Sequence, residues 1–431
     1  MSNLEALLGV AGEAPLSEML NYELPSVNTS VIDRRQHVRA YPTSASTLTP
    51  SGVRTVRIRL GGDTFVHTSS ARLMFTVTNK GTQPLTPTMG PYGTWGQCYV
   101  RSAGTEICNV LAYNRHHELH YWKFLTNLEQ FGEAGINGFA GSITGATGTA
   151  QTNLPAYGTI AAGASYTVTH RLAMPPFDQR LALPIRYAPI ELEMSLTPSA
   201  SDWLVVTAND SSTSSSWEIG NIQLLYDSLE LDPEVLTSYY NQLLSNRTLS
   251  IPYFSVWQTV QPIPAGATSL SFSSVRAFSK LAYIFLTFRN TTTGAKGSSF
   301  ACPKTQPTDQ LTAIPNLVDV PGPVVRMYIG PHARPDSQPN ASTVEQFYQL
   351  QKVLGKVPNL DRQDFLQSTY VLAFNLERMP GDAASAISTR SGDLVRIDIN
   401  NITADACQEC WATYFGYSVL AVRESGCSVL T

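Results

Sequence analysis

The sequence predicts an all-β fold, made of two consecutive eight-stranded jelly-roll sandwiches with short inserted helices. The first reason is that one order of elements occurs twice. In each half a helical stretch precedes three strand-like segments, at 166–174, 188–199 and 216–231 in the first half and at 370–379, 392–403 and 411–423 in the second. The second reason is that short alternating segments separated by turn residues recur along the chain, as expected for many short strands. A fold built twice in one chain is natural for a building block.

Length and composition support two large domains. A chain of 431 residues exceeds the usual size of one hydrophobic core. Charged residues make up only 14%, against about a quarter in typical globular proteins. We therefore expect much of the surface to be buried against neighbouring subunits or covered by small polar residues. The expected boundaries are an N-terminal arm at 1–45, a first jelly roll at 46–231, a helical linker at 232–248 and a second jelly roll at 249–431.

The N-terminal segment is acidic. The first basic residue is Arg34, whereas Glu5, Glu13, Glu18 and Glu23 precede it. Because an arm that neutralises nucleic acid needs clustered Lys and Arg, direct genome binding by this segment is not expected. The formal net charge of −4 excludes, on the same ground, a chain whose main task is to coat nucleic acid.

The opening residues also indicate the cellular compartment. They lack the basic, apolar and small-residue order of a signal peptide, so we expect an intracellular origin and reduced thiols. No apolar run approaches the roughly 20 residues that span a bilayer. Leu4, Leu7, Leu8 and Val10 suit a short amphipathic helix, either reaching under a neighbour or packed on its own domain.

In the first half, alternating segments predict strands at 53–60, 71–79, 95–101 and 106–112, with a hairpin turn at 102–105. The period then changes to that of a helix over 114–131. A long segment rich in Gly, Ala, Thr and Ser follows at 132–164, which predicts a surface projection or an interface element. Three further strands complete the first domain.

The linker and the second half follow the same scheme. Asp232 and Pro233 form a good helix start for residues 233–244. Strands are expected at 253–261, 269–272, 282–289 and 324–329, and a helix at 344–354. Each half thus offers about eight strands, with one helix between the fourth and the fifth. Two Greek keys in facing sheets form a jelly roll, which ranks above an immunoglobulin-like sandwich because the Cys–Trp–Cys spacing is absent.

The only dense histidine cluster is the HHELH segment at 116–120. A zinc protease needs H-E-x-x-H. His116 and His120 have that spacing, but His117 occupies the acid's place and Glu118 is shifted by one residue. We therefore expect the cluster to be the polar rim of a helix. The closely alternating histidines of a cupin metal strand are also absent, because His37, His67, His170 and His332 occur singly.

The six cysteines do not form a recognisable framework. Cys407 and Cys410 make one C-x-x-C, which is at best half of a tetrahedral zinc site. Cys98, Cys108, Cys302 and Cys427 add no second pair. A zinc site and a disulfide scaffold are therefore not expected.

No nucleophile elbow, phosphate loop or dinucleotide fingerprint is present. Glu191, Glu193 and Asp398 alternate on predicted strands as solvent-facing residues do. A glycosidase pair hidden among such carboxylates stays open, because the two groups would meet only in space. The aromatic group Trp411, Tyr414, Phe415 and Tyr417 fits core packing or subunit contacts better than sugar stacking. The sequence thus predicts no catalytic, cofactor-binding or metal-binding residue, and no enzyme.

Several segments resemble double-jelly-roll major capsid proteins of icosahedral viruses, of the polinton-like virus and virophage type. They are RLALPIRYAPIELE at 180–193, the 219–231 strand with LSIPY at 249–253, RAFSKL at 276–281, PGPVVRMYIG at 321–330 and EQFYQL at 345–350. The order of these segments matches over about residues 30–425. The motifs are loose strand patterns, less specific than a catalytic signature.

The resemblance implies a structural protein of the virion that is made and assembled inside the host cell. It implies a homotrimer with a pseudo-hexameric outline, which tiles an icosahedral shell and contacts neighbouring capsomers, penton proteins and minor capsid or membrane proteins. No cofactor and no sequence-specific nucleic-acid binding are expected. The alternative functions are a carbohydrate-binding or a carbohydrate-active β-sandwich protein. A lectin-like secreted pair would need a signal peptide and disulfides, and an enzyme would need a groove with two carboxylates.

Overall fold

The computed structural model describes residues 32–87, 90–124, 159–179, 182–204, 214–244, 248–290, 300, 302–304, 321–334, 340–355, 365–366, 370–378, 385–390, 394–423 and 426–430. The arm helix expected within 1–31, the end of the helix expected at 125–131 and most of the expected projection at 132–158 lie outside these residues. None of the described helices is long and apolar enough to cross a bilayer.

The described residues of the first half form nine strands and one α-helix. They are β1 Ile32–Ala40, β2 Thr55–Leu60, β3 Phe65–Asn79, β4 Trp95–Ser102, β5 Thr105–Val110, α1 Tyr113–Phe124, β6 Ser165–Arg171, β7 Ala182–Pro184, β8 Ile190–Leu196 and β9 Trp217–Leu231. The hairpin turn between β4 and β5 has positive φ at Ala103 (48°) and Gly104 (84°), as a two-residue turn that matches the strand twist requires.

Helix α2, Pro233–Leu244, connects the halves, and the Asp232 carboxylate accepts a hydrogen bond from the Glu234 N–H (2.9 Å) at its start. The second half contains β10 Leu249–Pro262, β11 Ser269–Ser274, β12 Leu281–Arg289, β13 Pro321–Ile329, β14 His332–Arg334, β15 Asn340–Ser342, α3 Thr343–Leu354, β16 Val371–Asn375, β17 Val395–Asn400, β18 Glu409–Arg423 and β19 Gly426–Leu430.

The two halves have the same sheet topology. The first has sheets β1-β9-β3-β6 and β2-β8-β4-β5, and the second has β10-β18-β12-β16 and β11-β17-β13-β14. The short strands β7, β15 and β19 are additions that pair with β3, β13 and β18. If these additions are left out and the remaining eight strands of each half are numbered 1 to 8 along the chain, each half has one sheet of strand order 1-8-3-6 and a second sheet of order 2-7-4-5. This is the jelly-roll arrangement of two Greek keys, so the predicted pair of eight-stranded jelly rolls is confirmed.

Two details of the sequence prediction were wrong. Residues 32–40, placed in the arm, form strand β1, which pairs antiparallel with β9 along its length. When the additional strands β7, β15 and β19 are left out of the count, the helix of each half follows the fifth strand, not the fourth. Strand β1 carried no alternation signal because it is a sheet edge with Asp33, Arg34, Arg35 and Arg39 all exposed. Strand β14 was missed because it has only three residues.

Alternating side chains form the core of each sandwich. On β8, Ile190, Leu192, Met194 and Leu196 are buried, while the residues between them are only half-buried. Strand β12 differs, because its first eight residues, Leu281–Phe288, are all buried. Ile284, Leu286 and Phe288 point into the second sandwich, where Phe288 contacts Tyr370 (ring centroids 6.2 Å apart).

The opposite face of β12 packs on the first sandwich. It carries Phe285, Thr287 and Arg289, at the two-residue repeat of a strand. Thr287 contacts Arg115 and Arg289 binds Asp202, both in the first half. Phe285 packs edge-to-face on Phe415 (5.5 Å), which in turn lies against His116 of α1 (5.6 Å). The second sandwich thus has one sheet buried on both faces.

Truncation of Phe285 tests this two-sided burial. We expect Phe285→Ala to lower the free energy of unfolding by about 3–5 kcal/mol, as much as Phe288→Ala, because both rings leave a cavity in a dry environment. Urea unfolding followed by tryptophan fluorescence measures both. Val275→Ala is the control, because Val275 is 83% exposed, and we expect a change within about 0.5 kcal/mol. A loss below about 1 kcal/mol for Phe285→Ala would contradict the packing of the two sandwiches.

Candidate functional site: the surface between the sandwiches

Hydrogen bonds join the two sandwiches along a continuous contact surface. The Ala112 N–H donates to Gln258 Oε1 (2.9 Å) and the Tyr253 hydroxyl donates to the Ile107 carbonyl (3.4 Å). At the β4–β5 hairpin, the Cys427 thiol donates to the Ser102 carbonyl (3.2 Å), and the Thr105 hydroxyl donates to the Cys427 carbonyl (3.1 Å). These bonds fix the register between the sandwiches, since each satisfies a polar group that packing removes from water.

A charged group lies at one end of this surface. Arg289 Nη2 of the second sandwich is 2.6 Å from Asp202 Oδ1 of the first, and its Nη1 is 3.7 Å from Glu409 Oε2. The Asp202 side chain is only 8% exposed. Since removing one partner would leave a nearly buried charge uncompensated, this bridge helps to determine how the sandwiches pack.

The histidine cluster at 116–120 is not a polar rim. His116, His117 and His120 are buried, and so is His170 on β6. The His117 ring stacks on Tyr92 (4.0 Å), lies edge-on to His170 (5.5 Å) and donates from Nε2 to the Arg171 carbonyl (3.0 Å). The prediction was wrong because a helix that lies between two sandwiches has no free polar face.

Burial governs the protonation of this cluster. It lowers the pKa of His116 and His170 to about 3, with neighbouring His120 and Arg72 respectively adding to the effect. The pKa of His117 is also well below its ordinary value, through burial and then the nearby His170. The rings are therefore neutral at physiological pH. For His170, neither ring nitrogen has a hydrogen-bond partner among the described residues.

Two carboxyl groups that border the cluster have pKa values shifted in opposite directions. Burial raises the pKa of Glu118, which accepts a hydrogen bond from the Tyr92 hydroxyl, to about 7. Burial also acts to raise the pKa of Asp178, but the His120 ring at 2.6 Å and Arg171 at 3.4 Å outweigh it and lower that pKa. The arrangement is a network of packed, buried polar side chains.

Cys98, Cys108, Cys407 and Cys410 are buried thiols, whereas Cys302 and Cys427 are half-buried. Burial raises the pKa of Cys108 and Cys407 to about 12, and it raises the pKa of Cys98 and Cys410 as well. Thiols with such pKa values are poor nucleophiles and poor metal ligands. In the described part of the chain, no three His, Cys, Asp or Glu side chains are grouped so that they could hold a metal ion.

Of the carboxylates singled out in the sequence, Glu191 and Glu193 lie side by side on the outer face of β8, whereas Asp398 lies on β17 in the other sandwich. Glu193 on β8 pairs with Arg57 (2.8 Å) and Arg101 (3.6 Å) on neighbouring strands. Asp398 on β17 pairs with Arg396 (2.9 Å) in the other sandwich. Of the aromatic group at 411–417, Tyr414 and Phe415 are core residues, and the Tyr417 hydroxyl donates to Glu377 (2.7 Å). These contacts are structural, and they show no pair of facing carboxylates among the residues named.

Solved structures with the same architecture decide the fold. PBCV-1 VP54, fitted into a reconstruction of the virophage Sputnik, is 11% identical with a TM-score of 0.63, covering 94% of this chain and 98% of that one. The Faustovirus major capsid protein is 10% identical with a TM-score of 0.59, covering 97% of both chains. The mavirus major capsid protein is 10% identical with a TM-score of 0.52, covering 96% and 94%.

The chain has the double-jelly-roll fold of viral major capsid proteins. At about 10% identity the likeness is one of structure. No protein-family model matches the sequence, and no curated protein matches it. The double jelly roll extends over nearly the whole of this chain and of each compared chain, so the fold predicted from the sequence resemblance is confirmed.

The buried histidines predict a stability that falls in acid. A His whose folded pKa is about 3 and whose unfolded pKa is about 6.5 leaves stability intact above pH 6.5 and removes it progressively down to pH 3. Asp178 acts in the same direction, at lower pH. Glu118 acts oppositely, because its raised pKa makes the fold lose stability as pH rises from about 4.5 to 7. The three histidines together outweigh this one carboxyl group, so the protein loses net stability as the pH falls.

Replacing His170 measures how much this one histidine contributes to the loss of stability in acid. The unfolding free energy of the wild type should fall between pH 7.5 and 5.0. We expect this fall to be about 2 kcal/mol smaller in His170→Phe, because the unfolded variant takes up one proton fewer. Urea unfolding at the two pH values gives the difference. His332→Phe changes an exposed ring and should leave the fall unchanged. An equal fall in His170→Phe and the wild type would show that His170 is not a buried neutral ring.

Proposed function

We propose that this chain is a structural major capsid protein of an icosahedral virus, and not an enzyme. One observation supports the proposal most strongly. The structural match covers 94–97% of this chain and 94–98% of the length of each of the three compared chains, VP54 and the Faustovirus and mavirus major capsid proteins. A match that leaves almost no residue of either chain unaccounted for leaves little room for an added catalytic module. The polar clusters are packed inside the fold or paired on strands, which also supports a structural role.

We infer that three copies form a pseudo-hexameric capsomer. Two sandwiches of identical topology in one chain mean that a closed threefold assembly presents six similar walls. The low share of charged residues, 14%, supports extensive contact between copies. Large apolar side chains lie exposed on both sandwiches, with Tyr41 (60%) and Val53 (57%) between β1 and β2, and Leu394 (51%) directly before β17. Such side chains suit a subunit interface.

The remaining partners follow from this assembly. Capsomers would contact one another in the virion, with penton and minor capsid or membrane proteins at the special positions of the shell, after synthesis and assembly inside the host cell. The acidic segment before Arg34 would face such a protein layer more favourably than the genome, because nucleic acid repels it.

The oligomeric state of the purified protein tests the proposal. We expect a stable species of three times the 47.0-kDa chain mass by size-exclusion chromatography with light scattering. Negative-stain electron micrographs should show plates of six-fold-like outline. A protein that stays monomeric at micromolar concentration would contradict the capsomer and favour a carbohydrate-binding or carbohydrate-active sandwich.

Deleting residues 1–30 should separate trimer formation from shell assembly. All described strands begin after this segment, at Ile32, so we expect the truncated chain to fold and trimerise but to form fewer closed shells by electron microscopy. A deletion of residues 1–40 is the matched control. It also removes β1, the partner of β9, and should lower the free energy of unfolding. Failure of the shorter deletion to fold would place residues 1–30 in the core.

A further inference from the structure

A cavity opens at the charged end of the surface between the sandwiches. Its volume is about 330 Å³, which lies within the size range of small-molecule sites. The first sandwich contributes Arg54, at the start of β2, and Arg115, in the first turn of α1. The second sandwich contributes Arg289 and Trp411. The walls therefore come from both halves of the chain.

The charges that line the cavity are not balanced. Arg289 is matched by Asp202 at 2.6 Å and Glu409 at 3.7 Å. Arg54 and Arg115 have no carboxylate within ion-pair distance in the described part of the chain. Arg54 is exposed at the mouth, whereas Arg115 is only 5% exposed. Asp202 and Glu409 attract Arg115 only from beyond ion-pair distance, so three guanidinium groups share two carboxylates. Because a buried cation with too little counter-charge is unfavourable, this cavity has a deficit of negative charge.

The surroundings of Arg115 increase that deficit. Among the residues that the structure describes, its side chain makes one hydrogen bond, a long one from Nη1 to the Thr287 hydroxyl (3.5 Å), and the guanidinium lies over the Trp411 ring (5.7 Å). The first turn of α1 has no acidic residue, although the N-terminal end of a helix favours negative charge. Burial, followed by repulsion from Arg289, lowers the pKa of Arg115 to about 9. A bound anion would relieve each of these effects.

We propose that this cavity is a binding site for a small oxoanion of the phosphate type. Arg115 would bind it from the floor of the cavity and Arg54 from the mouth, since guanidinium groups present paired N–H donors to such oxygens. The start of α1 adds the favourable end of its dipole. The proposal is independent of shell assembly, because all of these groups belong to one chain.

The ligand would also tie the sandwiches together. Because the cavity exists only when both halves are folded and docked, an anion that binds there stabilises the native chain, and the gain grows with the logarithm of its concentration above the Kd. Inorganic phosphate should therefore raise the melting temperature progressively with concentration, whereas sodium chloride at the same ionic strength should not.

The test combines binding and stability on the full-length protein. Isothermal titration calorimetry with inorganic phosphate should give one site per chain. Arg115→Met and Arg54→Met should each weaken the affinity about tenfold or more, the loss expected for one charge-assisted contact. Arg59→Met is the matched control, because it removes the same charge from strand β2 outside the cavity, and it should bind as the wild type does.

Two results would overturn the site. One is the absence of saturable phosphate binding beyond the chloride control. The other is wild-type affinity in Arg54→Met, which decides the question even if Arg115→Met does not fold, because Arg54 is exposed and its removal leaves the core intact. An equal loss of affinity in Arg59→Met would mean general charge attraction, and would also exclude the site.

Discussion

The burial of one sheet on both faces determines most of this structure. The sheet β10-β18-β12-β16 closes the second sandwich on one side and receives the first sandwich on the other. Its central strand β12 is therefore buried over its first eight residues, and every polar group on the outer face needs a partner from the other half. Gln258, Thr287 and Arg289 have such partners in Ala112, Arg115 and Asp202. The two jelly rolls thus behave as one packed body, which suits a rigid tile.

Much of the fold could be predicted from the sequence, because alternation and turn residues are local signals. Strands such as β8, with buried Ile190, Leu192 and Met194, show the two-residue period directly. The helix at Pro233–Leu244 was predictable from Asp232, Pro233 and its apolar spacing. Strand β1 was not, because its side chains are exposed and charged, and it is a strand only through its pairing with β9. Edge strands receive their structure from a partner distant in sequence.

The polar sites were harder to predict. The HHELH segment at 116–120 has the composition of a surface helix. In the structure His117 packs into the first sandwich against Tyr92, and His116 lies against Phe415 of the second. The unbalanced charge at Arg115 is equally invisible in sequence, since it depends on Trp411 and Thr287 almost 300 and 172 residues away. The environments of His116 and Arg115 are properties of the surface between the halves. A single chain that contains two cores has such a surface in addition to its cores, and its chemistry arises only there.

The pairing of each sandwich's first strand with its last has a kinetic consequence. Strand β1 meets β9, with His37 opposite Asp227, 190 residues later, and β10 meets β18 in the same way. Such remote pairing makes folding slow, because a long loop must close, at a cost in entropy, before the stabilising contacts can form. On the ribosome the first half can close its sheet while the second is still being synthesised, since domains generally fold as units. The docking surface of the first half is then exposed to solvent until β12 and β18 have been synthesised, so the nascent chain passes through an aggregation-prone interval.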